Sequence, residues 1–439
     1  MGDVKTAEVV TNGNCSTVEN KIGNKQIVNK QKLWTLNFFL LWQGQFISAF
    51  GDVIYEIALG FWILEITGSK ALMGTLMATS MIPRLIISPF AGVVVDRVDR
   101  KKLMVLMDFI RGFIVVFVGI AAIFHFVQIW MVFVAGIILG ICGAFFNPSI
   151  MSVLPDIVEK SKIIKANSAL NMVYAGTNMA ANPVGGILYS VLGAPLMFLF
   201  NGISYLFSSL TEVFIKVPKI KRDLKEVHFW DDLKQGFKFV WKFKSLRYFI
   251  FIGAILNFFA SMAIVLFLPF FQETSGLGSV KYGFAMAVMS GGMFLGMLFT
   301  SIVNIPYEKR AVVFIVNLIA FGILFSIALF LNYYVMLSVL AIGGFLNAIV
   351  NVFFSSTVQL TVPQEMRGKV GALMSTVLMG LAPLGIAFGG IIAEFVSIKM
   401  IVLVSFAIST IVSIILGVNK DFKAFINFNP DKQVLEDIM

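Results

Sequence analysis

The 439-residue chain is 58% hydrophobic and only 13% charged, where soluble domains carry about a quarter of their residues charged. That much apolar surface cannot be hidden in a water-soluble core, which excludes a soluble enzyme and requires a protein integral to a membrane. The net charge of +10 does not indicate a nucleic-acid partner, because the basic residues fall almost wholly on alternate loops between apolar runs.

Residues 1–32 are polar and read as a disordered cytoplasmic tail. No apolar core of a signal peptide precedes the first long hydrophobic run, so no cleavable signal is expected. Met1-Gly2 with Thr6 fits a myristoylation pattern and Asn14-Cys15-Ser16 a glycosylation sequon, but such short patterns arise by chance. Cys15 and Cys142 are the two cysteines, one in the tail and one in an apolar run. With His125 and His228 in separate loops, no disulfide, metal site or cofactor is expected, and no catalytic group stands out.

Runs of the roughly 20 apolar residues needed to cross a bilayer fall at about 34–64, 72–95, 103–125, 129–153, 167–190 and 194–215, then at 248–271, 282–304, 311–331, 334–358, 369–393 and 399–418. This gives an all-α integral membrane protein of twelve transmembrane helices. Six form an N-terminal bundle over 33–215 and six a C-terminal bundle over 248–418, with a linker at 216–247 and a tail at 419–439. Lys and Arg set the orientation. Lys21, Lys25, Lys30 and Lys32 precede the first span. Lys160, Lys162, Lys165, Lys309, Arg310, Arg367 and Lys369 follow even-numbered spans, while Lys70, Lys281 and Lys399 are the cations of the opposite loops. Both termini are therefore expected in the cytoplasm of a cell with a multi-pass plasma or inner membrane protein.

In the first span Asp52 and Glu56 lie one helical turn apart and share a side. A charge at mid-span costs about 2.5–3.5 kcal/mol or more, so it should face a cavity or a partner. Arg84 lies at similar depth in the second span and is expected to pair with Asp52, Glu56 or both. Two acids facing one arginine leave a spare site for a proton, which makes these three the proton-coupling candidates. A static ion pair orienting two helices is the alternative. Glu65, Glu273 and Glu394, near the outer ends of their spans, read as ordinary interfacial charges.

Between the second and third spans stands Gly92-Val93-Val94-Val95-Asp96-Arg97-Val98-Asp99-Arg100-Lys101-Lys102, a charge cluster too dense to enter lipid. Asp108 and Arg111, three residues apart, can pair at the start of the third span and extend the loop's network. Asp156, following Pro155, is the expected partner of Arg100, and Glu365, following Pro363, that of Lys309 or Arg310. In the linker, Trp230, Leu233, Phe237, Val240 and Trp241 recur at helical spacing among lysines, as in a basic amphipathic helix lying on the inner leaflet.

The two halves repeat. Phe145-Phe146-Asn147-Pro148-Ser149 runs on to Pro155, and Phe353-Phe354-Ser355-Ser356-Thr357 runs on to Pro363 with the same spacing. Gly176 precedes Gly185-Gly186-Ile187 as Gly380 precedes Gly389-Gly390-Ile391.

The pattern G-x-x-x-D-R-x-x-R-K-K from Gly92 resembles the signature loop of the major facilitator superfamily. Over residues 33–418 the chain is similar to that family. Trp62–Ser69, Pro83–Lys102, Gly143–Pro148 and Asp232–Phe237 further resemble its macrolide-efflux and enterobactin-exporter branch of drug:proton antiporters. The resemblance implies transport by alternating access, with substrate held between the bundles near the midplane. It also implies a cavity lined from the first, fourth, seventh and tenth spans, where Gln43, Gln45, Asn147, Asn257, Asn347 and Asn351 are the candidate polar groups. Asp96 would reach the start of the eleventh helix near Gly368, so that Gly92, Asp96, Arg97, Arg100, Lys101, Asp108, Arg111 and Asp156 form a conformational latch. Two features depart from the antiporters: the fifth span keeps small residues from Gly176 to Gly186 but not the order G-P-x-x-G-G, and the fourth lacks an arginine over Leu139–Gly143. The expected partners are a small amphiphilic substrate, protons and the lipid bilayer, with the protein a monomer. A lysophospholipid or siderophore translocator, an ion-coupled or passive importer, and a sensor on the same fold remain alternatives.

Overall fold

The computed structural model describes residues 33–218 and 229–433. The elements are α1 (Leu36–Thr67), α2 (Lys70–Arg97), α3 (Arg100–Ile123), α4 (Ile129–Ile157), α5 (Ile163–Val213), α6 (Phe229–Lys242), α7 (Lys244–Ile264) and α8 (Phe267–Glu273). They continue with α9 (Ser279–Ile302), α10 (Tyr307–Ile327), α11 (Tyr333–Thr361), α12 (Arg367–Gly380), α13 (Ala382–Ile392), α14 (Ile398–Val418) and α15 (Lys420–Ile426). No strand occurs among the described residues.

Local chemistry sets the boundaries. Thr35, Ser69, Asp99, Asn332 and Asn419 each cap a helix start with a side-chain oxygen, as expected of such residues at that position. The fifth and sixth spans run on as one element, α5, that turns at Gly193 (φ 71°), a backbone conformation open to glycine at little cost. The seventh span divides into α7 and α8, with Pro269 lacking the N–H that would bind the Val265 carbonyl. The eleventh divides into α12 and α13, where Pro383 does the same to Met379. Counting the two arms of α5 and these two broken spans, twelve crossings result.

In the first half, α1 and α3 pack on α5 while α2 packs on α4. In the second half α9 packs on α11, α10 on α14, and α7 on α13 and α14. The seams between halves are α2 with α13 and α5 with α9. Close approach at these seams requires glycine. A side chain at Gly186 would collide with the Ser279 carbonyl at the start of α9, and one at Gly390 with the Lys70 carbonyl at the start of α2. The preceding glycines turn the other way: Gly185 meets Ile57 and Ile54 of α1, and Gly389 meets the Met262 backbone of α7. The repeat read from the sequence is thus a repeat of function within the fold, one glycine facing the home bundle and the next facing the opposite one.

These seams close the molecule at the end that carries Ser69 and Glu394. At the other end, which carries the loop at residues 98–99, a Cβ at Gly92, Gly368 or Gly371 would meet no described atom within 4 Å, so the described residues make no such close approach there, and this is called the open end below.

Two differences concern the periphery. The segment from 419, expected as a tail, folds as α15, with Phe422, Phe425 and Ile426 all at 0% exposure. The linker does contain a helix, α6, but it docks on the C-terminal half. Val240 and Phe243 are buried, Gly236 lies against the Lys369 backbone, and Lys369 Nζ donates to Gln235 Oε1 at 2.6 Å. Phe237 and Trp241 stack at 5.4 Å on its exposed side. The expectations for Trp230 and Leu233 lie outside the described side chains, as does that for the tail at 1–32.

Candidate functional site

Three groups of polar residues organise the interior: a cluster within the N-terminal bundle, a set of amides facing the opening, and the contacts that close one end.

The cluster begins at Asp52 of α1, which is half-buried. Its carboxylate accepts a hydrogen bond from the Tyr205 hydroxyl on the second arm of α5, and Asn201 of the same arm lies beside it with its amide nitrogen unpartnered. Beyond Tyr205 lies the Arg111 guanidinium, 4.5 Å from the tyrosine ring and 4.0 Å from that of Phe146. Arg111 pairs with Asp108 one turn earlier on α3. Ser208 joins the group by donating to Glu212 Oε1 at 3.3 Å. Asp108 and Glu212 are both at 0% exposure, and one oxygen of each has no protein partner.

Two expectations are corrected here. Asp108 and Arg111 do pair, but they lie inside the bundle and not in the loop network, because eight residues of helix carry Asp108 about 12 Å from the start of α3. Arg84 forms no hydrogen bond or ion pair with Asp52 or Glu56. It stays within Coulombic range of both acids, and its stem runs past Gly143. The small residues of the fourth span thus give the arginine of the second span its room. Glu56 is exposed and lies within Coulombic range of Tyr282 on α9, so it faces the space between the halves while Asp52 turns toward α5.

Glu212, Tyr205 and Asn201 were not singled out from the sequence. A glutamate and an asparagine inside the sixth apolar run were the available signal.

The amides divide. Asn257, half a helix from the start of α7, is exposed and donates to the Gly253 carbonyl at 3.0 Å. Asn351 donates to Asn347 at 2.9 Å, and Asn147 is half-buried. Gln43 is half-buried and donates weakly to the Leu40 carbonyl at 3.4 Å. Gln45 does not line open space: at 3% exposure it accepts from the Tyr174 hydroxyl at 3.3 Å, and its amide nitrogen has no partner. Asn178, exposed, and Asn182, half-buried, add amides on the first arm of α5.

At the closed end Lys70 Nζ meets Glu273 Oε1 at 2.6 Å. Glu394 Oε1 accepts from the Ser69 hydroxyl at 2.8 Å and from the Ala71 backbone N–H at 2.9 Å. The carboxylate of one half therefore caps the first turn of a helix in the other. The Ala71 N–H, with the Ser69 hydroxyl behind it, holds the Glu394 carboxyl below the usual carboxylate range. Its ionised form favours closure, so this contribution is present above the ordinary carboxylate pKa and is lost as pH falls through the lowered one. Glu394→Gln is expected to shift the balance toward opening at this end by about 1 kcal/mol, roughly fivefold in population. Spin-label distances across the end measure the shift.

At the open end Arg100 Nη1 lies 3.5 Å from Asp156 Oδ2, the expected pair. Asp99 Oδ1 accepts from the Lys102 N–H at 3.1 Å and caps α3, and Lys101 Nζ donates to the Val213 carbonyl at 2.6 Å, at the end of α5. Arg97 is exposed, and Gly92 has open space above it. The Asp96 side chain lies outside those described. The repeat does not extend to Glu365, which is exposed and has no ion pair among the described residues, while Arg310 lies 3.8 Å over the Tyr307 ring. No group of three or more potential metal ligands occurs among the described residues.

Two packed bundles of membrane-spanning helices meet along α2–α13 and α5–α9 and join by polar contacts at one end. The Major Facilitator Superfamily model matches residues 41–384, and the chain belongs to that family. It is 22% identical to macrolide efflux protein A of Streptococcus pyogenes over 85% of this chain and 93% of that one. It is 24% identical to the multidrug efflux pump Tap of Mycolicibacterium fortuitum over 78% and 86%. Among solved structures, the nucleoside transporter NupG aligns with a TM-score of 0.69 at 14% identity, covering 90% of this chain and all of that one. An inward-facing bacterial homologue of the iron transporter ferroportin aligns with a TM-score of 0.64 at 15% identity, over 87% and 99%. The chain is a multi-pass membrane transporter.

Proposed function

We propose that the protein exports hydrophobic or amphiphilic small molecules, drug- or macrolide-like, by proton-coupled alternating access. It would act as a monomer in the cell membrane with both termini in the cytoplasm. The positive charges around the open end support that orientation, and the structure is then the inward-facing state, its cavity open to the cytoplasm. The names of the macrolide and multidrug relatives support the substrate class.

The observation that carries the coupling is the chain of polar groups from Glu56 through Asp52, Tyr205 and Arg111 to Asp108 and Glu212. Asp52, Asp108 and Glu212 gather around a single buried guanidinium, so the carboxylates outnumber the cation. A proton taken up on Asp52 removes the charge that the Tyr205 hydroxyl donates to and loosens the hold of α1 on α5. Glu56, facing the gap between halves, offers the proton's point of entry, and Arg84 tunes both acids from Coulombic range. Substrate would bind among Asn147, Asn257, Asn347, Asn351 and Gln43, its apolar part against phenylalanines. When the inner side shuts, Gly92, Asp96 and Arg97 would meet the start of α12, whose unpaired N–H groups favour a carboxylate. Arg100, Asp156 and Lys101 would hold that loop in shape.

A thermal-shift screen of purified protein against macrolides, cationic dyes, siderophores and lysolipids at two pH values tests this function. Each stabilising compound would then be followed in vesicles under an imposed pH gradient. Movement of an amphiphilic drug that collapses with a protonophore is the expected outcome. Movement indifferent to the gradient removes the coupling, and stabilisation by lysolipids alone changes the substrate class.

A further inference from the structure

A second cavity lies away from the space between the halves. It is a groove of about 1650 Å³ between α3 and the second arm of α5, at the end that carries the charged loop. Its floor and walls are apolar. Leu106 and Phe109 follow one another at helical spacing on α3, and Leu210 lies on α5 with Phe214 just past its end. These four side chains are 49–64% exposed, so the groove opens sideways, where a membrane protein meets acyl chains.

The rim has the opposite character. Arg97, Arg100, Lys101, Lys102 and Lys216 border the groove, against Asp99 and Asp156. Both acids are already engaged, Asp99 as the cap of α3 and Asp156 with Arg100. Lys101 is committed to the Val213 carbonyl. Arg97, Lys102 and Lys216 remain exposed, and their side chains make no hydrogen bond or ion pair among the described residues. Lys216 is held in place through its backbone, which exchanges hydrogen bonds of 3.1 and 3.2 Å with the Asn37 side chain on α1. Three uncommitted cations therefore ring the mouth of a hydrocarbon-lined slot.

We infer that this groove is a binding site for an anionic phospholipid of the inner leaflet, its phosphate among Arg97, Lys102 and Lys216 and an acyl chain along Leu106, Phe109, Leu210 and Phe214. Basic pockets between helices at the cytoplasmic surface attract anionic headgroups, and the apolar slot below gives the chain a place a free phosphate does not need. The protein's own linker is a poor occupant. Residues 219–228 carry Lys219, Lys221, Arg222 and Lys225 against Asp223 and Glu226, a positive balance that a basic rim does not attract. The site rests on the placement of the charged loop at the membrane surface and not on any substrate or coupling ion. Because α3 and α5 also hold Arg111 and Glu212, a lipid seated here braces the outer side of the buried cluster.

Native mass spectrometry of the detergent-solubilised full chain tests the site, with dioleoylphosphatidylglycerol and dioleoylphosphatidylcholine as probes. The glycerol lipid is expected to fill one site about tenfold more tightly than the choline lipid. The Lys102→Gln/Lys216→Gln double variant, altered only at exposed side chains, is expected to lose that preference about tenfold. Leu210→Trp, which fills the slot and leaves the rim intact, is expected to weaken the same site. Soluble glycerol phosphate is expected not to displace the lipid. Equal binding of the two lipids, or an unchanged preference in the double variant, overturns the inference. A preference that survives Leu210→Trp reduces it to surface charge without a groove, and displacement by glycerol phosphate reduces it to a phosphate site.

Discussion

Asp52→Asn is expected to abolish pH-driven movement of substrate in vesicles, by more than tenfold, while leaving substrate binding within about threefold of the parent. The asparagine keeps the volume of the aspartate and an acceptor for Tyr205, so the local packing between α1 and the second arm of α5 survives. It removes the group that gains and loses a proton. A buried hydrogen bond to a charged group contributes about 1.5–3 kcal/mol against about 1 for a neutral one, and the difference is the free energy by which protonation biases the helix contact. A factor of ten corresponds to 1.4 kcal/mol, so the loss of that bias is large enough to uncouple the carrier. Undiminished pH-driven movement in this variant removes Asp52 from the mechanism and shifts attention to Glu56 or Glu212. Substrate binding is measured on the same preparation, so a misfolded variant is recognised by its failure to bind.

Arg111→Ala is expected to cost about 3–5 kcal/mol of stability, seen as a lower melting temperature and poor recovery from the membrane. The guanidinium pairs with Asp108 and lies between the rings of Phe146 and Tyr205, and its removal strands Asp108 and Glu212 in apolar surroundings. The penalty belongs to the unpaired charges more than to the lost contact. Arg111→Met with Asp108→Leu, which removes both partners and keeps the volume, is therefore expected to be milder than Arg111→Ala alone. A double variant as unstable as the single one would show that the cluster holds the bundle by packing and not by charge.

The architecture was legible in the sequence because its strongest signals are local. Apolar runs of bilayer length, alternating loop charges and the charged stretch from Gly92 to Lys102 each follow from burying hydrocarbon and keeping charge out of it. The glycines at 186 and 390 could be matched by spacing alone, and the Arg100–Asp156 pair followed from two loops on the same side. The interior of the N-terminal bundle was less legible, since depth along a helix can be counted but rotation about its axis depends on packing. Arg84 lies at the depth of Asp52, yet α2 contains Pro83 and Pro89 and leans on Gly140 and Gly143 of α4, which directs the arginine elsewhere. Asp52 instead finds Tyr205 and Asn201, more than 140 residues away, on a helix face that no single-sequence periodicity marks as polar. Asp108 and Arg111 are close to the loop in sequence but lie two turns inside. Gln45 shares a helix with cavity residues and still turns into a contact with Tyr174. The helix at the start of the 419–439 tail was not legible, because seven residues of charge and phenylalanine carry no span-length signal and it is α7 and α10 that supply the surface burying Phe422 and Phe425.

The most direct test of the two-bundle carrier uses two spin-label pairs on a chain freed of Cys15 and Cys142. One pair, Ile66 with Phe395, spans the closed end, and the other, Val98 with Gly368, spans the open end. Distances are read at pH 8 and pH 5 with and without a stabilising substrate. The predicted result is reciprocal, with the first pair lengthening under the conditions that shorten the second, and Asp52→Asn losing the response to pH. Two pairs that stay fixed, or that lengthen together, would contradict alternating access in this protein.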